Sequence, residues 1–196
     1  MTLIEVIVAI SIMGIIATAS IGLSITSQTS AAAQQRQELA VAIANQAMES
    51  VSAQPTVASA ILVGRTQSSV TSNWNDTINT TTGGIGSTYA AWDATATATS
   101  IPVVPILSTV IQSGTTYETN TLIGTCYQRT DATGTCTKVA GYTAPALPQP
   151  AGWSPILRVI VVVRWHAGTG CTGVGGCSYS TTSLIDPHVD LPWDTH

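Results

Sequence analysis

Met1-Thr2-Leu3-Ile4-Glu5-Val6-Ile7-Val8-Ala9-Ile10-Ser11-Ile12-Met13-Gly14-Ile15-Ile16-Ala17-Thr18-Ala19-Ser20-Ile21-Gly22-Leu23-Ser24-Ile25 opens the chain, with Glu5 as its sole ionisable side chain. As a helix rising about 1.5 Å per residue, it is long enough to span the ~30 Å hydrocarbon layer of a membrane. It lacks the basic start, short apolar core and small-x-small cleavage pattern of a secretory signal peptide. It also lacks the flanking Lys or Arg that orient an ordinary signal anchor. An acid inside such a segment costs about 2.5–3.5 kcal/mol at the bilayer centre and asks for a reason. Glu5 can stay hydrated at the membrane interface or meet the amino group of residue 1 in its own helix. It can also meet the amino group of a second copy displaced along a shared axis. Breaking a buried pair of that kind costs about 3–5 kcal/mol, so an unpaired acid drives a subunit to find its complement.

Thr2-Leu3-Ile4-Glu5-Val6 followed by an unbroken apolar run resembles the start of mature type IV pilins and the related pseudopilins. The resemblance is strong over residues 1–25 and looser to about residue 53. It implies a leader cut before residue 1 by a prepilin peptidase, methylation of the new N-terminus, and a Glu5 that guides packing of the next subunit. Met1 stands where Phe is commonest, and the numbering reads as that of the processed chain. The assembly residues implied are therefore Met1 and Glu5. The resemblance also implies partial unwinding near Gly14 and Gly22 when subunits pack.

The helix continues past the membrane segment. Residues 26–35 turn small and polar without Pro, and Val41, Ala44, Met48 and Val51 then recur 3, 4 and 3 apart. One face of this stretch should pack on a head domain. Pro55 ends the helix at or before Gln54. About 53 helical residues would run roughly 80 Å. The expected division is residues 1–53 as the N-terminal helix, with 1–25 in membrane or filament core and 26–53 on the head, and 54–196 as a β-rich head.

The rest of the chain reads as β and loop. Residues 56–100 are a long Thr, Ser, Asn, Gly and Ala connection anchored by Trp74, Tyr89 and Trp92. A connection of this length is functional or carries structure of its own. Strands are expected at 103–111, broken by Pro105 and so at an edge, at 115–123, 125–128, 156–165 and 179–185. The clearest is 156–165, where Leu157, Val159, Val161, Val163 and Trp165 share one face and Ile160 and Val162 the other, between Arg158 and Arg164. A strand apolar on both faces is central. Pro145, Pro148, Pro150 and Pro155 stiffen its approach. The fold class is α+β, a long N-terminal α-helix, its hydrophobic half protruding, packed on an antiparallel sheet.

Cys126, Cys136, Cys171 and Cys177 allow three pairings, which sequence does not decide. Loop closure favours the two local bridges, and neither spacing is the Cys-x-x-Cys of a zinc site. Disulfides fit a compartment outside the cytoplasm. Only 8% of residues are charged, against about 25% in typical soluble domains, and the net charge is −4. A broad basic footprint for nucleic acid is absent. Arg65, Arg129, Lys138, Arg158 and Arg164 are the only cations after the helix.

Asp186, Asp190 and Asp194 recur near His188 and His196 without the tight alternation of a calcium loop. A tail docking Trp193 on its own or a neighbouring head reads better, so no metal is assigned. The sequons at Asn75 and Asn79 are candidate N-glycosylation sites, although such triplets arise by chance in a Thr-rich chain. No nucleotide, hydrolase or metalloprotease motif is present, so no enzyme activity or cofactor is implied.

The function expected is a structural subunit of a type IV pilus. It would polymerise through its apolar helix, sit in the cell membrane before assembly and in an extracellular filament after it, and partner copies of itself, other pilins and the pilus assembly machinery. The alternatives are a minor pilin acting as a surface or tip adhesin or DNA receptor, with Trp74, Trp92 or Trp153 stacking on sugars, and a type II secretion pseudopilin. Cell adhesion and motility are the roles such filaments imply.

Overall fold

Apolar residues without helix breakers from Leu3 onward give a single 50-residue helix, α1 (Leu3–Ser52), in the computed structural model. The structure describes residues 2–55, 58–76, 79–131, 134–141, 150–167, 171 and 175–186. The chain forms two compact units, residues 1–39 and 40–196. The first unit is the greater part of α1. Every side chain from Thr2 to Ala31 is exposed in the single chain, and the segment is long and apolar enough to cross a membrane.

The second unit begins where the helix acquires a buried stripe. Ala40, Ile43, Ala44 and Val51 are its buried residues; Ile43 and Ala44 follow Ala40 by three and four residues and Val51 follows Ala44 by seven, which puts them on one side. The head was expected to carry residues 26–53; the head unit includes the helix from Ala40 onward. Ser52 ends the helix three residues before Pro55, as proline's steric restriction on the preceding residue requires.

Among the described residues five strands form one antiparallel sheet: β1 (Tyr89–Ala90), β2 (Leu107–Gln112), β3 (Thr115–Arg129), β4 (Trp153–Trp165) and β5 (Cys177–Ile185). Their order is β1-β3-β4-β5, and β2 pairs with β3 beyond β1. β4 is central and buried along Leu157 to Trp165. Its alternate residues serve two layers. Ile160 and Val162 pack with Leu122, Trp74 and Ile85 in one core cluster. Val159, Val161 and Val163 lie on the opposite face with Ile123, Thr121 and Thr119, their register partners on β3, and that face receives the 40–52 part of α1.

Several expected boundaries moved. The strand expected at 103–111 is β2, 107–112, because the Val103 N–H donates to the Val63 carbonyl rather than to the sheet, between Pro102 and Pro105. The strands expected at 115–123 and 125–128 are one strand, β3. It runs through Gly124, where a Cβ would collide with the Tyr89 carbonyl oxygen and lie 2.7 Å from Cη2 of Trp74. Glycine here admits close packing and does not break the strand.

The 56–100 connection holds α2 (Ala58–Ile61), α3 (Gln67–Trp74), a 3-10 turn at Asn79–Thr81, and β1. Thr66 caps α3, its Oγ1 accepting the Ser69 N–H at 3.3 Å. Val70 and Trp74, one turn apart, fix α3 on the core. Pro145 and Pro148 lie outside the described residues.

Candidate assembly helix and the surface of the head

Thr2 and Glu5 stand at the start of α1 in the spacing of a capping box. The Glu5 N–H donates to the Thr2 carbonyl at 3.0 Å. The Glu5 carboxylate accepts the Thr2 backbone N–H through Oε2 at 3.4 Å. The acid therefore neutralises part of the positive end of its own helix dipole, a role the sequence reading missed although Thr-x-x-Glu signals it. One long, exposed bond leaves most of the carboxylate's lone-pair capacity open. Met1 lies outside the described residues.

Several hydroxyls of this half of the helix are bonded to its own carbonyls. Ser11 Oγ donates to the Ile7 carbonyl at 2.8 Å and Ser20 Oγ to that of Ile16 at 2.8 Å. Thr18 and Thr26 donate to the carbonyls of Gly14 and Gly22, four residues back, at 3.2 and 3.1 Å. With these bonds made, those four hydroxyls enter a low-dielectric surrounding without an orphaned donor. A Cβ built on Gly14 or Gly22 meets nothing within 4 Å, so neither glycine is demanded by packing within the chain.

In the head, three of the five cations are internal. Arg65 is 1% exposed and donates to the carbonyls of Val104 at 3.0 Å and Thr121 at 2.7 Å. Burial pushes its guanidinium down to about 10. Arg158, lowered by the same cause, donates through Nη1 to Gly84 O, Ser87 Oγ and Thr88 Oγ1, and through Nη2 to Cys136 O at 2.8 Å.

Arg164 donates to Asp76 at 3.1 Å and to Asn79, and lies 3.7 Å from Glu118. Asn79 in turn donates to Asn73 O at 2.7 Å, and Asn73 to Ile106 O at 3.2 Å. This relay ties β4 to the 3-10 turn, α3 and the entry to β2. Arg129 is exposed and pairs with Asp131 at 3.4 Å, and Lys138 sits 5.2 Å over the Tyr89 ring.

Two further sets of candidate residues differ in their exposure. Asn79 is fully buried with both ends of its amide engaged, which leaves no room for a glycan. Asn75 is exposed at the C-cap of α3. Trp74 belongs to the core cluster. Trp153 lies half-buried with Arg129 over its ring at 5.9 Å, and Trp92 is half-buried.

The cysteines pair locally, Cys126 with Cys136 and Cys171 with Cys177, with Cα separations of 5.3 and 4.9 Å. Among the described residues no group of acids, histidines and cysteines is placed to hold a metal. His188, His196, Asp190, Asp194 and Trp193 lie outside them. No family model, curated protein or solved structure matches this chain, so its reading rests on the helix and head just described.

Proposed function

We propose that this chain is a structural subunit of a type IV pilus-like filament, held in the membrane by the start of α1 before assembly and joined to its neighbours through it afterwards. The observation that carries the reading is the first half of α1. It is a regular helix, exposed on all sides in the single chain from Thr2 to Ala31, with several hydroxyls internally bonded and one carboxylate at its tip. Such a rod is stable only in lipid or against other rods. Burying a few hundred Å² of it gives on the order of 10 kcal/mol gross per contact, before the costs of association.

Glu5 supplies register. Its remaining acceptor sites take the N-terminal amine of an adjacent subunit, a pairing stronger in a dry surrounding than in water. Methylation of that amine and removal of a leader belong to the same reading.

Three buried arginines of five speak against a DNA receptor, because the phosphate backbone is bound by clustered surface cations. Glu5→Gln is expected to lower filament yield roughly a hundredfold, as loss of one buried charge pair implies, while the unfolding midpoint of the head stays unchanged. Electron microscopy of sheared surface appendages, with mass spectrometry of the N-terminal residue, measures both assembly and processing. Filaments in normal number from the variant would refute the role given to Glu5.

A further inference from the structure

Among the described residues no further strand pairs with either outer edge of the sheet. β2 pairs with β3 on one side only, and all six of its residues are exposed. Leu107-Ser108-Thr109-Val110-Ile111-Gln112 has no charge and no Pro, the devices by which monomeric proteins blunt an edge. It is held straight by a two-residue turn, Ser113 and Gly114, both at positive φ (49° and 72°), the conformation that matches strand twist. β5, Cys177-Ser178-Tyr179-Ser180-Thr181-Thr182-Ser183-Leu184-Ile185, is the opposite edge and is equally uncharged.

The two faces of β2 carry different chemistry. Ser108 and Val110 share the helix-side face with Thr119 and Tyr117, their partners on β3. A cavity of about 180 Å³ opens there between β2, β3 and Ile43, Gln46, Ala47 and Ser50 of α1. Thr119 lines it, 2% exposed, and its hydroxyl has no hydrogen-bond partner. A buried hydroxyl left unbonded costs about 1–3 kcal/mol, and this one lies under α1, with β2 between it and the outer edge. The other face of β2 is apolar, with Leu107 54% and Ile111 72% exposed.

We propose that β2 accepts β5 of a second copy of this chain, continuing the sheet from head to head. Successive strands of this sheet alternate in direction, so a copy displaced along the sheet brings its β5 beside β2 antiparallel, with the helix-bearing faces on one side. In that arrangement Tyr179, Thr181 and Ser183 of the neighbouring copy lie on the helix-bearing face, beside Ser108 and Val110. Leu184, 46% exposed, lies on the face of Leu107 and Ile111. Main-chain bonds supply the affinity and the two faces the selectivity.

A two-fold pairing of β2 with β2 would turn the helix starts at Ala40 in opposite directions. Displacement keeps them parallel and leaves an edge free for the next copy. This choice rests on the filament reading, since subunits leaving one membrane share a direction.

Cross-linking tests it with the full-length chain in its membranes. All four native cysteines are bridged, so a short bismaleimide reacts only with introduced thiols. Thr109→Cys with Thr182→Cys, both on the face away from α1, is expected to give a ladder of covalent oligomers. Mixed single variants are expected to give dimers only. Adding Ile111→Lys should cut cross-linking at least about tenfold, with the circular dichroism and unfolding midpoint of the head unchanged.

Dimers from Thr109→Cys alone would replace the proposal with two-fold pairing. No product from a folded double variant, or capture of a foreign protein in place of the chain, would overturn it. Filaments on cells without a ladder would remove edge pairing and leave the subunit reading intact. A ladder from cells that make no filaments would support edge pairing and remove the subunit reading.

Discussion

Arg65 is a full charge held 1% exposed by backbone carbonyls alone. Its two donors satisfy Val104 O and Thr121 O, which belong to the entry of β2 and to β3, so the side chain fastens the α2–α3 connection to the sheet. Arg65→Ala removes both donors and leaves a cavity, and is expected to cost about 2–4 kcal/mol, read as a fall in the denaturant midpoint of the head. Asp93 works at the surface of the same connection. Its carboxylate accepts the Thr95 hydroxyl at 2.6 Å, the Gly64 N–H at 3.0 Å and the Thr95 N–H at 2.8 Å.

The Thr95 hydroxyl, with the Gly64 and Thr95 amides, holds the Asp93 carboxyl below its ordinary 3.8. A folded-state value lower than the unfolded one adds stability above the unfolded value, and that stability is lost as pH falls through the folded value. Asp93→Asn is therefore expected to be less stable than the parent at neutral pH. The gap between the two unfolding curves should close as the pH falls below 3.8. A gap that persists unchanged to strongly acid pH would show that the bonds act without the charge.

At the scale of elements, the two disulfides are not equivalent. Cys126 and Cys136 are both buried, and their bridge fastens β3 to the segment that pairs through the Tyr127–Thr137 bridge. The Arg158 guanidinium also donates to the Cys136 carbonyl. Removing this bridge by paired Cys→Ser substitution is expected to cost about 2–3 kcal/mol through unfolded-chain entropy alone, and further through the buried contacts it positions. The Cys171–Cys177 bridge closes a shorter loop at half-buried positions, so its removal should shift the denaturation midpoint less. Equal shifts would mean that chain entropy dominates and that the packing around Cys136 adds little.

For the whole molecule, charge scarcity sets the response to solvent. Six basic and ten acidic residues in 196 leave little for ions to screen, and three of the six basic residues are buried in the head. Association of full-length copies is therefore expected to survive 1 M salt, where the screening length is about 3 Å, and to be lost in detergent, which competes for the apolar face of α1. Light scattering or sedimentation of membrane extracts measures this directly. Dispersal by salt alone would indicate that exposed ion pairs hold the copies together.

The sequence by itself determined the long helix, its end before Pro55, the centrality of β4 and the α+β class. Each of these is written in local periodicity or in a single residue's steric demand. Glu5 was legible for the same reason, as one charge in a run that carries no other. Only the tertiary structure decided that Arg65, Arg158 and Arg164 are internal struts and that Asn79 is a buried relay. It also decided that Gly124 lies inside a continuous strand and that α3 covers one face of the sheet. Most of those outcomes depend on groups between 22 and 88 residues apart in the chain, and a donor's partner at that range is fixed by packing, which no local pattern records.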